Sequence, residues 1–312
     1  MKSVIYGPVP SRRLGFSLGV DIIPYKVCSY NCIYCQLGKT TNKTLRRRSY
    51  ISPATVIKGI KAAISENKKI DYITFSGSGE PTLNKDLGEM IKKTKKITSI
   101  PVAVLTNGSL LWRKSVRDDL ASADLVVPSL DAVSAGVFKK INSPAKGLNI
   151  KKVLRGIKKF AENFKGEIRL EIMLVRGIND SEKEIKKINE FVKDLKIDKI
   201  ELNTVIRPPN DPQARPLKKE ELLRIKKLFD PDLKVEIISD FTRHYKEKVF
   251  RRDLEQRILD LLKRRPCRKE EMAVSLSVHL NELLKYLNLL VQRKKIKKSE
   301  KSSQKDFYIL NL

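Results

Sequence analysis

From Val20 to about Phe229, short apolar runs rich in β-branched residues alternate with longer amphipathic stretches carrying lysine and glutamate. Few folds accept that alternation, and the one it predicts is a series of β/α units around a parallel sheet. Six runs read as strands: LGVDII (18–23), DYITFSG (71–77), PVAVLTNG (101–108), DLVVPSL (124–130), EIRLEIMLV (167–175) and KIELNTVI (199–206). Between them, residues 52–67, 149–164 and 181–195 place apolar side chains three and four apart with lysines opposite, as helices do. Ser52 before Pro53, Asn149 and Ser181 stand where helix caps belong. Six right-handed β/α units curl into a partial (β/α)6 TIM-type barrel, an α/β fold whose chemistry gathers at the carboxyl ends of the strands.

VEIISDFT (235–242) reads as one further strand, and a change of composition follows between Tyr245 and Arg252. Beyond it come three short helical patterns (253–265, 269–276, 279–294) and a basic, hairpin-like end. That order resembles a small winged helix-turn-helix domain. The expected division is a barrel over 1–245 and a winged-helix-like domain over 251–312, with no repeat beyond the β/α alternation.

Three of the four cysteines fall within eight positions, Cys28-x3-Cys32-x2-Cys35, just after the first strand. Four cysteines in 312 residues, three of them clustered, would staple almost nothing as disulfides. A structural zinc site wants a closed set of four ligands, and the two histidines, His244 and His279, are far away in sequence. A 4Fe-4S cluster can be held by three thiolates with one iron left open, which calls for a further ligand from a substrate or cofactor.

The cysteine triplet, with Tyr34 before its last member, resembles the signature of the radical S-adenosylmethionine (radical SAM) enzymes. FSGSGEPTL follows the second strand, and its Gly77, Gly79, Glu80 and Pro81 are similar to that family's glycine-glycine-glutamate-proline stretch, although Ser78 separates the glycines. A strand-ending turn would need the glycines and proline without Glu80. The resemblance covers roughly residues 4–230, and the opening GPVPSRRLGFSLGVDIIP is similar to relatives of the wyosine-forming transfer-RNA enzyme. It implies that Cys28, Cys32 and Cys35 ligate a 4Fe-4S cluster and that the Gly77–Pro81 loop binds the methionine amino group of S-adenosylmethionine. Thr106, Asn107, Ser129 and Asp131 would meet the cofactor's ribose and carboxylate, Val175, Gly177 and Asn179 its adenine, and Asn203 with Arg207 would face the pocket. Each of these polar residues is also an ordinary cap or turn former. One electron passed from the cluster would cleave the cofactor to methionine and a 5′-deoxyadenosyl radical that takes hydrogen from a substrate. An electron donor such as ferredoxin or flavodoxin is implied. The wyosine-forming enzymes carry a second cysteine-ligated cluster, whereas no cysteine precedes Cys28 here, which disfavours that condensation. Cys267 reads as a small buried residue.

Charge bears on partners. The 65 Lys and Arg against 36 Asp and Glu leave a net +29, and residues 251–312 hold an excess of eight positive charges. Such a field recruits polyanions, so RNA or DNA is the expected partner of the C-terminal domain, through its third helix and basic wing; a lysine-rich solvated surface would have the same composition. No apolar run is long enough to span a membrane and no leader-like start is visible, so the expected address is the cytoplasm. Other functions remain open: an iron-sulfur redox sensor acting on DNA through the winged helix, or an activator that makes a glycyl radical on a partner enzyme. A sensor has no use for Glu80 or the polar strand ends.

Overall fold

A computed structural model describes residues 4–66, 69–206, 209–238, 252–264, 266–276, 278–298 and 307–311. The barrel region runs β1 (Ile5–Ser11), β2 (Gly15–Val20), β3 (Val27–Cys28), β4 (Asn42–Lys43), α1 (Pro53–Glu66), β5 (Tyr72–Phe75), α2 (Leu87–Ile97), β6 (Val102–Thr106), α3 (Lys114–Leu120), β7 (Leu125–Pro128), α4 (Ala135–Asn142), α5 (Ile150–Asn163), β8 (Glu167–Leu174), α6 (Glu182–Val192), β9 (Lys199–Thr204), α7 (Lys219–Lys226) and β10 (Val235–Ile237). Eight strands form one sheet in the order β1-β2-β5-β6-β7-β8-β9-β10. Every pairing in it from β2 onward is parallel, and only β1 lies antiparallel on β2. This is the α/β partial barrel expected from the alternation, with one strand beyond the six at each edge.

Local chemistry sets the element ends. The Ser52 hydroxyl, the Asn149 side-chain carbonyl and the Ser181 hydroxyl accept from the backbone N–H groups of Thr55, Lys152 and Glu184, so the three expected caps are in place. The sheet departs from expectation at its start, because no sequence signal announces β1 and β2 begins at Gly15 rather than Leu18. Pro8 and Pro10 erase the strand signal of β1, and an edge strand tolerates them because half its N–H groups face no partner.

Side chains alternate across the sheet. Ile168, Leu170, Ile172 and Leu174 of β8, with Val102 and Val104 of β6, pack outward in the core shared with the helices. Ala103, Leu125 and Val127 point into the barrel, where Leu14 from the β1–β2 turn packs on them. The interior of β8 and β9 is polar: Arg13 donates to Glu171 at 2.9 Å and Glu201 at 2.8 Å, and Arg12 donates to the Asn203 carbonyl at 2.8 Å. The β1–β2 turn thus spans the open side of the sheet with ion pairs.

The C-terminal part comprises α8 (Arg252–Arg264), β11 (Cys267–Arg268), α9 (Lys269–Ser275), α10 (Leu280–Gln292), β12 (Ile296–Lys298) and β13 (Phe307–Leu310). Its strands make a small antiparallel sheet, β11-β13-β12, over a separate core that includes Leu254, Ile258, Leu287 and Tyr308. Cys267 is fully buried in this core, as expected. The expected junction near residue 250, residues 299–306 of the basic hairpin, Arg207 and His244 lie outside the described residues. Among the described residues no helix is long and apolar enough to cross a membrane.

Candidate active site

The loops that leave the parallel strands meet around a cavity of about 350 Å³. Of the residues singled out from sequence, Cys28, Cys32, Gly77, Gly79, Glu80, Thr106, Asn107 and Ser129 line it. Glycine is required twice in the loop after β5. A Cβ on Gly79 would stand 2.0 Å from the Val27 carbonyl oxygen, and one on Gly77 would stand 2.3 Å from the Asp21 carboxylate. The Gly79 approach presses the loop against the strand that delivers Cys28, where Glu80 N–H donates to the Val27 carbonyl, and the Gly77 approach sets it against Asp21 just after β2.

Glu80 is buried at the loop's end, before a 3-10 turn that begins at Pro81. Its Oε1 accepts from Thr82 N–H (3.0 Å), the Thr82 hydroxyl (2.5 Å) and the Thr106 hydroxyl (2.6 Å), and its Oε2 accepts from Asn107 N–H (2.7 Å). Burial pushes its carboxyl above the usual range against these four donors. Oε2 takes one donor only from this set, so acceptor capacity is left on that oxygen.

Each thiol of the triplet meets a side-chain N–H donor: Asn107 Nδ2 at 3.5 Å from Cys28 Sγ, Asn142 Nδ2 at 3.4 Å from Cys32 Sγ, and Lys26 Nζ at 3.2 Å from Cys35 Sγ; Cys28 also accepts from the Tyr30 backbone. Burial, then the Glu80 charge, pushes the Cys28 thiol up to about 12. Burial and Asp131 push Cys32 well up. Among the described residues no three His, Cys, Asp or Glu side chains converge for a single metal ion. An iron-sulfur cluster takes one thiolate per iron, so its ligands need not converge on a point. Three sulfurs with N–H donors are a donor set that fits it, since such hydrogen bonds stabilise thiolate ligands.

The remaining expected residues lie off the cavity wall. Tyr34 donates to Asp131 at 2.5 Å, and Asp131 also accepts from Asn142 Nδ2 (2.6 Å) and Met173 N–H (3.0 Å), so the two tie the cysteine loop to β8. Burial raises the Asp131 carboxyl to about 6 against those donors. Asn179 spends its amide on Val175 N–H and the carbonyls of Asp131 and Met173. Val175 is in the core, Gly177 sits in a turn at φ +71°, and Asn203 bridges Arg12 and Glu171. Arg12 and Arg13 do line the cavity, as do Glu171 and, from α10, Asn281 and Lys285. No motif marks Asn142, Lys26, Asn281 or Lys285. Glu171 is signalled by its place on the alternate, charged face of β8, after Glu167 and Arg169.

Residues 22–192 match the family model described as the Radical SAM superfamily, and the chain belongs to that superfamily. Members bind a 4Fe-4S cluster and S-adenosylmethionine, and these are its cofactors. It is 38% identical to a UPF0026 protein of Methanocaldococcus jannaschii over 99% of this chain and 97% of that protein. It is also 42% identical to a GTPase Obg of Brachyspira hyodysenteriae over 94% of this chain and 43% of that protein, so it spans less than half of that relative. Among solved structures, TYW1 with a lysine-pyruvate adduct bound superimposes with a TM-score of 0.52 at 21% identity, covering 70% of this chain and 74% of that one, a likeness of fold.

Proposed function

We propose that Cys28, Cys32 and Cys35 hold the 4Fe-4S cluster and that the Gly77–Pro81 loop, with Thr106, Asn107 and Ser129, holds S-adenosylmethionine beside it. The carrying observation is that Cys28 and Cys32 share one cavity with Glu80 while all three cysteine sulfurs receive N–H donors. When bound, the cluster supplies the electron for reductive cleavage of the cofactor, the chemistry of this superfamily. The chain's own residues position and enclose. Glu80 Oε2 offers a charged acceptor to the cofactor's ammonium, and Asn107 links that carboxylate to the Cys28 sulfur through one residue. Tyr34, Asp131 and Asn142 act as positioning residues for the cysteine loop. Asp131, Val175, Gly177, Asn179 and Asn203 support the loops around the cofactor from outside the cavity lining.

The element order of residues 252–310 supports a winged-helix reading of the C-terminal part. Its third helix, α10, has no exposed residue between 281 and 290, so reading a nucleic-acid groove would require it to leave its present contacts. The electron donor is a small redox protein such as ferredoxin or flavodoxin, and the substrate supplies a hydrogen atom.

Anaerobic reconstitution of a Cys32→Ala variant tests the assignment. Loss of both the cluster absorbance and 5′-deoxyadenosine formation is expected; a variant that still made 5′-deoxyadenosine would overturn it. Turnover of the cofactor by reduced wild-type protein separates an enzyme from a sensor.

A further inference from the structure

Helix α10 has two buried faces. Leu283, Tyr286, Leu287 and Leu290 enter the C-terminal core, while Asn281, Leu284 and Asn288 are buried outside it, and the helix contacts β1 of the barrel. Its start is anchored. His279 stacks on Tyr6 with ring centroids 4.3 Å apart and accepts Asn281 N–H on Nδ1, so Nε2 carries the proton and donates to Asp21 at 2.8 Å. Asp21 in turn accepts from the N–H and hydroxyl of Ser78, inside the loop that leads to Glu80. The placement of α10 is therefore tied to the cofactor loop.

Asn281 and Lys285, four residues apart and so on one face, line the cavity that holds Cys28, Cys32 and Glu80. Asn281 is 6% exposed, and its Oδ1 is buried with no hydrogen-bond partner among the described residues. A buried carbonyl oxygen left unpaired costs stability unless an occupant supplies a donor. Lys285, half-buried, adds a cation one turn further on, and a charge-assisted hydrogen bond to an anion is the contact an ammonium at a cavity wall can make.

We propose that Asn281 and Lys285 form the subsite for the molecule that gives up hydrogen, a compact organic anion. Its phosphate or carboxylate meets Lys285 Nζ, and a neighbouring hydroxyl or amine donates to Asn281 Oδ1. This rests on the proposed use of the cavity by the cluster and cofactor. The cavity's 350 Å³ must also admit the cofactor, which limits the occupant to a compact molecule.

Calorimetric titration of the full chain, cluster-loaded with S-adenosylmethionine and again cluster-free without it, uses glycerol 3-phosphate and glycerate as probes and glycerol as control. Binding of at least one acid and not of glycerol is expected. Lys285→Met and Asn281→Leu should each weaken it tenfold or more, Lys285→Arg should retain it within about threefold, and the affinity for S-adenosylmethionine should stay within twofold. No acid binding to wild type, or binding indifferent to both substitutions, overturns the proposal. So does a parallel loss of cofactor affinity, which would give the subsite to the cofactor, or a stimulation of cofactor cleavage by total transfer RNA and by neither acid. Lys285-dependent acid binding in the cluster-free chain alone would sustain the subsite and reject the radical reading.

Discussion

Glu80 and Asp131 are both buried carboxylates, and their partners give them different work. Glu80→Ala removes the acceptor from four donors, so a loss of several kcal/mol is expected in addition to weaker cofactor binding, at about 1–3 kcal/mol for each stranded buried group. Glu80→Gln keeps an acceptor for the threonines and removes the charge, so cluster absorbance should persist while cofactor affinity falls roughly 10- to 100-fold, the worth of a charged hydrogen bond. Calorimetry with S-adenosylmethionine on the reconstituted variants reads both effects; unchanged affinity in Glu80→Gln would leave Glu80 a structural role only. Asp131 differs because burial raises its carboxyl to about 6 in the folded protein. A raised carboxyl contributes stability at low pH, below its ordinary range, and loses it as pH climbs through about 6. In the cluster-free protein, the stability of wild type relative to Asp131→Asn should therefore improve as pH is lowered from 7 to 4. Paired urea titrations check this, and a difference independent of pH would contradict it.

At the scale of elements, the loop after β5 and the β1–β2 turn each depend on a few close contacts. The Cβ of Gly79→Ala meets rigid backbone at Val27, so the loop has to move; a loss of about 1–3 kcal/mol and poor cluster loading are expected. Gly136→Ala in α4, with nothing within 4 Å, is the control and should be neutral or slightly stabilising. Melting curves and iron content per chain separate the two. Arg13 outweighs its own burial through Glu171 and Glu201, and in return it holds the Glu171 carboxyl below its usual range despite burial. Arg13→Met strips Glu171 of its ion-pair partner and leaves Glu201 only the longer pair to Lys199 at 3.7 Å, which costs about 3–5 kcal/mol near neutral pH. The cost should shrink as acid protonates Glu171, because stability from a depressed carboxyl is present above its ordinary range and lost as pH falls through its lowered value. A urea midpoint that fell equally at pH 5 and pH 8 would point to lost packing instead.

Over the whole molecule, the C-terminal part is joined to the barrel through His279, which meets Tyr6 and Asp21. His279→Asn keeps a residue able to cap α10 and removes the stack and the reach to Asp21. Faster hydrogen exchange is expected in both α10 and β1, and an increase confined to the first turn of α10 would mean the junction is held elsewhere.

The alternation of apolar runs announced the parallel sheet because strand and helix periods differ and each buries its own face locally. The caps at Ser52, Asn149 and Ser181 were legible for the same local reason. The cysteine spacing and Gly79-Glu80-Pro81 pointed to the cluster and its cofactor within a few residues of chain. The edge strand β1 was hidden by its prolines. Asp131, Asn179 and Asn203 stand at strand ends, as a cofactor contact would, yet their amide and carboxylate groups are spent on neighbouring loops and Arg12. Asn281 and Lys285 reach the cavity from a helix of the C-terminal part, far along the chain from Glu80. Local periodicity carries no record of that meeting, since it is made where two distinct hydrophobic cores lie against each other, and only the tertiary structure decides which polar side chain is left facing the cavity.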